Sequence, residues 1–190
     1  MKTSLKGSLM SFIYAFYTNK YIEFRQLSSE DSLKALTVLL NRSYKFLLDM
    51  GLRYVAATQD ESITMNRVNK AYKCFVGIHE GDIVSTISLY THSTSGVSEW
   101  YKKKNVAKFG QFAVMPELQK YGIGSRMIEL VENEARKMEG VTELALDTAE
   151  TAHHLIEYYA RKGYRYVETI QWDETNYKSV IMSKRLKEDS

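Results

Sequence analysis

Residues 108 to 125 constrain the fold more than any other stretch of this chain. Lys108 to Met115 reads as a strand, and Pro116, the only proline, closes it. After a short turn, Gln119-Lys120-Tyr121-Gly122-Ile123-Gly124-Ser125 opens a helix expected from about Gly122 to Met138. Its apolar stripe is Ile123, Met127, Leu130, Val131, Ala135 and Met138. The first N–H groups of such a helix lack intrahelical partners, and its dipole adds partial positive charge there. Glycines at 122 and 124 remove the side chains that would keep a pyrophosphate from those amides. A Walker loop would need a lysine before Ser125, and a dinucleotide fingerprint would need glycine where Met127 stands. The rival reading is that the glycines only tighten a turn.

The flanking segments supply the rest of a sheet. Tyr21 to Leu27 alternates as a strand. Ser28, Ser29 or Asp31 can cap a helix carrying Leu33, Leu36, Leu40, Tyr44, Leu47 and Leu48, which Gly51 can end. A second helix is expected over Glu61 to Ala71. Tyr72 to His79 and Ile83 to Thr91 form a hairpin around Glu80-Gly81-Asp82, and Ser93 to Asn105 is a polar loop. A strand from Val141 to Asp147, a helix from Ala152 to Arg161, and strands Tyr164 to Trp172 and Tyr177 to Leu186 complete the order βααββ, βαβα, ββ. The alternating middle implies one parallel pair, and the hairpins imply antiparallel neighbours. The expected fold is α/β (α+β): a mixed, twisted, mostly antiparallel sheet of about seven strands with helices on both faces.

Composition excludes several classes. The formal charge of +3 over 190 residues is too mild and dispersed for a nucleic-acid binder. One cysteine, Cys74, cannot form an internal disulfide, and its alternation with Tyr72, Val76 and Ile78 reads as a buried strand position. Lys2 and Lys6 precede an apolar stretch from Leu9 to Tyr17 that loosely resembles a signal peptide. It lacks an Ala-x-Ala site and falls well below the ~20 residues that span a bilayer. Residues 1–20 are therefore read as an extension, with a membrane-surface or dimer contact as the minor alternative. A cytoplasmic location is expected, with no membrane association and a homodimer left open.

The segment Phe112 to Ser125 resembles motif A of the GNAT superfamily of N-acetyltransferases, whose Gln/Arg-x-x-Gly-x-Gly/Ala follows a strand ending Val-x-Pro. Leu155 to Tyr164 is similar to that family's Tyr-x-x-x-Gly-aromatic segment, and the likeness extends in element order over residues 21–186. The resemblance implies one N-acetyltransferase domain over 21–186 with a tail at 187–190, the GNAT acyl-CoA fold, and acetyl-CoA as co-substrate with no metal. It implies that the amides of Gln119, Lys120, Tyr121, Gly122, Ile123, Gly124 and Ser125 hold the pyrophosphate. Phe112 and Val114 would pair with the pantetheine arm, and the Val114 amide would face the thioester oxygen. On this basis Gly122→Val or Gly124→Val is expected to block cofactor binding and leave the fold intact.

The resemblance also implies Tyr159, four residues before Gly163, as general acid. Packing against Leu155 and Ala152 is the competing reading, and Tyr158 is expected to point elsewhere. The usual glutamate of the motif A strand is Gly110 here, and the frequent asparagine seven residues before the tyrosine is Ala152. The base could be a water chain, or Asp147, Glu150, His153 or His154, and for each of these residues a capping or solvated role is the reading to beat. The acceptor side is expected to use Tyr44, Tyr54, Tyr90, His92, Trp100, Trp172, Asp173 and Glu174. Aromatics with a few carboxylates suit a cationic amine with some apolar body. The acceptor is expected to be a primary amine of a small molecule or peptide, attacked in a ternary complex. A non-catalytic acyl-CoA-binding or sensor module is the alternative.

Overall fold

A computed structural model describes residues 21–186. The expectations for 1–20 and 187–190 lie outside the described residues. Seven strands form one sheet in the order β1-β2-β3-β4-β5-β7-β6. These are β1 (Glu23–Gln26), β2 (Lys73–His79), β3 (Asp82–Tyr90), β4 (Val106–Val114), β5 (Glu143–Ala149), β6 (Arg165–Gln171) and β7 (Lys178–Arg185). The helices are α1 (Leu33–Asp49), α2 (Glu61–Lys70), α3 (Ile123–Arg136) and α4 (His153–Arg161). The β4–β5 pair is parallel and every other neighbouring pair is antiparallel. Element order and sheet type match the expectation.

Local chemistry accounts for the boundaries. The cap of α1 is Ser32, whose Oγ accepts from the Ala35 amide at 3.1 Å. None of the three expected caps serves, because Asp31 is held by both guanidinium nitrogens of Arg25 at 2.7 Å. Asp60 caps α2 through the Ile63 amide at 2.8 Å. The β2–β3 turn puts Glu80 (φ 51°) and Gly81 (φ 88°) in the left-handed region, as a two-residue hairpin of this twist needs. β5 runs two residues beyond its expected end, because its pairing with β7 continues to Ala149 and Ser179. Asp147 is thereby a residue within a strand and not its end.

Two packed layers flank the sheet. α3 and α4 bury Ile123, Met127, Ile128, Val131 and Tyr159 against Ile87, Ala107, Phe109 and Leu146. α1 packs Leu36, Leu39 and Leu40 on the other face, against Val76, Ile83 and Ala113.

A buried charge pins α3. Both oxygens of Glu132 accept from Lys184 Nζ of β7, at 2.8 and 2.9 Å, and Tyr164 donates its hydroxyl to one of them at 3.1 Å. Removing one member of a buried ion pair leaves the other uncompensated. Glu132→Leu should lower unfolding free energy by about 3 kcal/mol in urea titration, and adding Lys184→Met should restore part of it.

Candidate active site

The site begins with one extra residue in β4. In the β3 register, Thr86 faces Ala113 but Ser88 faces Gly110, so two steps on β3 meet three on β4. The bulge falls at Gln111, whose φ is +48°. It inverts the side-chain parity of the strand. Ala107 and Phe109 face the α3–α4 layer, and beyond the bulge Phe112 and Val114 do so. The bulge also bends β4 away from β5: their parallel pairing covers only Val106 to Lys108 against Glu143 to Ala145. Beyond Lys108 the two strands diverge.

Divergence exposes backbone groups that cannot stay unpaired when buried. The Met115 amide donates to Val84 of β3 at 2.8 Å, so alternation turns the Phe112 and Val114 groups into the gap. There the Tyr44 hydroxyl donates to the Phe112 carbonyl at 3.1 Å, and Ser43 Oγ and Gln119 Nε2 both donate to that of Val114 at 3.1 Å. On the opposite rim, the Ala149 amide of β5 donates to the Tyr54 hydroxyl at 2.7 Å. The Tyr44 and Tyr54 rings are 5.4 Å apart, and Tyr54 packs on Tyr177 at 4.7 Å. Two phenols thus occupy the two rims of the splay.

The glycine segment sits at the mouth of this gap. Gly122 caps α3 in the left-handed conformation, φ 84° and ψ −8°, and Lys120 has φ +70°. The first helical bond runs from the Arg126 amide to the Gly122 carbonyl at 3.1 Å, which leaves the amides of Ile123, Gly124 and Ser125 at the free N-terminus. The Gln119 amide is engaged by the Pro116 carbonyl at 3.3 Å, so Gln119 serves the loop mainly through its side chain. The Ile123 side chain points into the core. A Cβ on Gly124 would lie 3.3 Å from both the Phe112 ring and the Tyr158 hydroxyl. Gly122→Val would be strained by the positive φ, and Gly124→Val would press on those neighbours. Both replacements therefore disturb local packing as well as the cradle.

Two residues join the cradle that the motif did not name. Lys162 Nζ donates to Ser125 Oγ at 2.7 Å. Tyr158 places its hydroxyl beside Gly124. Tyr158 on α4 and Lys162, the residue that caps its C-terminus, are four apart and so lie on one side, which was the available signal. The residues present fit a pyrophosphate: free helix amides, glycines and an adjacent ammonium.

Tyr159 lies in the splay, buried, its ring edge-on to Phe109, Tyr158 and Tyr164. Burial first, then Tyr44, Tyr158, Tyr54 and Asp147, push its phenol well above the usual range. The packing reading and the catalytic one thus describe the same buried position.

On the α1–α2 face the splay opens into a cleft of about 610 Å³. Gly110 and Asp147 lie at its strands, Arg67 and Lys70 of α2 on one wall, and Lys108, Tyr90, His92 and Trp172 around it. A Cβ on Gly110 would meet only the Tyr90 ring, at 3.7 Å, so the missing glutamate is not excluded by space. Asp147 is open to the cleft yet walled by its partners: it accepts from the Tyr101 hydroxyl at 3.0 Å and from Trp172 Nε1 at 3.3 Å. Burial raises its pKa against the opposing pull of those bonds and of Lys108. Burial lowers that of Lys108, which donates to Ser93 Oγ at 2.7 Å. Tyr90 is pushed up to about 12 by burial. Of the other base candidates, His153 and His154 are exposed on the first turn of α4 and Glu150 follows β5, all outside the cleft lining. Of the expected acceptor residues, Tyr90, His92 and Trp172 line the cleft. Asp173 and Glu174 are exposed in the β6–β7 turn, Trp100 packs under Lys103, and Tyr44 and Tyr54 hold the splay.

A seven-stranded sheet splayed after its one parallel pair, with a glycine-opened helix at the gap, defines an acyl-CoA N-acyltransferase fold. The sequence profile of the acetyltransferase (GNAT) family matches residues 33–164, and the chain belongs to that family. Its members use acetyl-CoA as acyl donor. Comparison with curated proteins returned no match. The fold is similar to the ribosomal-protein-S18-alanine N-acetyltransferase of Escherichia coli (TM-score 0.65, 18% identity, 87% of this chain and 94% of that one). It is also similar to Ard1 of Thermoplasma volcanium (0.65, 15%, 88% and 99%). A GNAT family acetyltransferase of Elizabethkingia anophelis with acetyl-CoA bound aligns with TM-score 0.61, 13% identity and coverage of 87% and 99%. Among the described residues no helix is long and apolar enough to cross a membrane.

The Tyr54 hydroxyl both accepts from Ala149 and contacts Thr148 Oγ1 at 3.1 Å. Tyr54→Phe strands the buried amide and should cost about 1–2 kcal/mol in urea unfolding. Hydrogen exchange at Ala149 should quicken well beyond that at Leu146.

Proposed function

We propose that the protein transfers the acetyl group of acetyl-CoA to an amine by direct attack in a ternary complex. The observation that carries this reading is that one splay joins two openings: the Gly122–Ser125 cradle on one side and a polar cleft onto which the Asp147 carboxylate opens on the other. Acetyl-CoA supplies the activated acyl group. The amides of Ile123, Gly124 and Ser125, with Lys162, hold its pyrophosphate, and the β4 edge at Phe112 and Val114 takes the pantetheine arm, with the Val114 amide toward the acyl oxygen. Asp147 accepts the proton that the incoming amine sheds, and its raised pKa makes it a stronger base than an ordinary aspartate. Tyr159 keeps its proton across the working range and presents the O–H to the departing sulfur.

Acetyl-CoA at 100 times its Kd should stabilise the fold by about 2.7 kcal/mol. In a domain of this size that is a rise in Tm of roughly 5–10 °C. Gly122→Asn keeps a residue that tolerates the left-handed conformation and should reduce the shift by obstructing the cradle. No shift at millimolar acetyl-CoA would overturn the proposal. A shift without transfer to any amine would favour the non-catalytic acyl-CoA module.

Tyr159→Phe should lower kcat roughly 10-fold or more with acetyl-CoA affinity kept, and recover in part at high pH where the thiolate leaves unaided. Tyr158→Phe is not a neutral control, because its hydroxyl lies beside Gly124 of the cradle: it should weaken acetyl-CoA binding and leave kcat nearer wild type. Equal kcat for Tyr159→Phe and wild type from pH 6 to 9 would remove Tyr159 from the scheme.

Asp147 has a folded-state pKa above its unfolded value, so the folded state binds this proton more tightly. Its contribution to stability is therefore lost as pH rises through the folded pKa, and the ionised form weighs against folding at neutral pH. Asp147→Asn should lower kcat/KM by at least about 10-fold. The wild-type acid limb, where protonation of Asp147 abolishes the base, should flatten in this variant. A full-rate Asp147→Asn enzyme would exclude the carboxylate as base.

A further inference from the structure

We infer that the amine acceptor carries an anionic group, which Arg67 and Lys70 receive while the amine lies at Asp147. This rests on the acetyl-transfer reading and adds the substrate class to it. Arg67 and Lys70 are three residues apart on α2, hence neighbours on one helical face, and both line the cleft. Among the described residues neither has an ion-pair partner, whereas Arg25, Arg42, Lys73, Arg165 and Lys184 all do. Lys108 adds a third cation to the same cleft, and Asp147 is the one carboxylate among its lining residues. His92 is the remaining titratable base there.

This charge pattern selects against a plain cationic amine or a polyamine. Such a ligand would bring positive charge to a cleft where three cations already face one carboxylate. An acceptor that carries both an amine and a carboxylate or phosphate offers each of its charges an opposite one in the lining. Arg67 and Lys70 are on α2 and Asp147 is on β5, so the two charges of such a ligand are received by different elements. Tyr90 and Trp172 offer apolar surface in the same lining, and a cleft of about 610 Å³ suits a small molecule. Asp173 and Glu174, the acidic residues expected to meet a cationic acceptor, lie outside this lining.

The test uses matched acceptors: phenylalanine against phenethylamine, and phosphoethanolamine against ethanolamine. Acetylation is followed by release of the CoA thiol. One ion pair of ordinary strength corresponds to about a 10-fold preference in kcat/KM for the anionic member of a pair. The first pair reports a carboxylate and the second a phosphate, and a preference in either supports the inference. Arg67→Gln/Lys70→Gln should remove that preference by raising KM for the anionic acceptor, with the acetyl-CoA thermal shift retained. Calorimetry of phenylalanine and phosphoethanolamine with the CoA-loaded protein supplies a readout independent of turnover. Binding of at least one that the double variant loses supports the inference even if no acetylation is seen. Equal or better use of phenethylamine and ethanolamine, or no millimolar binding of either anionic amine, overturns it. Loss of the acetyl-CoA shift itself in the wild type would instead overturn the acetyl-transfer reading.

Discussion

The extra residue at Gln111 is the feature on which the rest of the site depends. A regular β4 would continue its parallel pairing with β5, and the sheet would close over the place where the chemistry is proposed. The bulge ends that pairing after Lys108 and Ala145. It leaves buried carbonyls on β4 and a buried amide on β5 with no strand opposite them, and such groups need partners. The protein answers with side chains. Tyr44 and Ser43 reach β4 from α1, and Tyr54 reaches β5 from the segment after it. These phenols keep the strands apart and satisfied, so the gap is a stable feature and not a defect awaiting a ligand. A carbonyl has a second lone pair, so Phe112 can still accept from a bound chain.

The position of the bulge is itself supported from outside the sheet. Gln59 is almost wholly buried, and its Nε2 donates to Gln111 Oε1 at 3.0 Å and to Thr64 Oγ1 at 2.7 Å. Thr37 then donates to Thr64 at 2.8 Å. This polar chain connects α1, α2 and the bulged strand. The wall that carries Arg67 and Lys70 and the strand that carries Gly110 are therefore fixed relative to each other by one network. On the opposite face, Glu132 and Lys184 hold α3 against β7 and so hold the cradle at the gap.

Much of this is legible in the sequence, and the exceptions have physical causes. The strand, proline stop and glycine-opened helix can be read because each residue acts locally, through φ, a missing N–H or an absent side chain. The order of elements comes from hydrophobic periodicity for the same reason. The bulge leaves a fainter mark. Ala107 and Phe109 alternate, then Phe112 and Val114 alternate, and the break of parity between 109 and 112 is the trace of one inserted residue. Read as a regular strand, the segment hides it. The role of Asp147 cannot be separated by sequence from that of Glu150, His153 or His154, since only the pairing of β5 with β7 sets which of them faces the cleft. Tyr158 and Lys162 escape a motif that names only the neighbouring tyrosine. Their spacing of four across the end of α4 is the signal that joins them, and both reach the Gly124–Ser125 turn. The caps of α1 fail for a tertiary reason: Asp31 is drawn away by Arg25.

The charges at the splay show how position and chemistry arise together. Lys108 is the last β4 residue paired with β5, opposite Ala145, and Asp147 lies two residues further along β5. One ionisable group thus stands on each strand at the point of divergence. Enclosure works against both charges, raising the carboxylate and lowering the ammonium, and neither would be tolerated in a closed sheet. The splay admits water to Asp147 and lets Tyr101, Trp172 and Ser93 supply hydrogen bonds. A group whose charged form is held at a cost is one whose proton affinity has been moved toward the range where it can exchange. The same bend that removes a few ladder bonds therefore opens the sheet beside the glycine-opened helix and leaves Lys108 and Asp147 at the point of divergence.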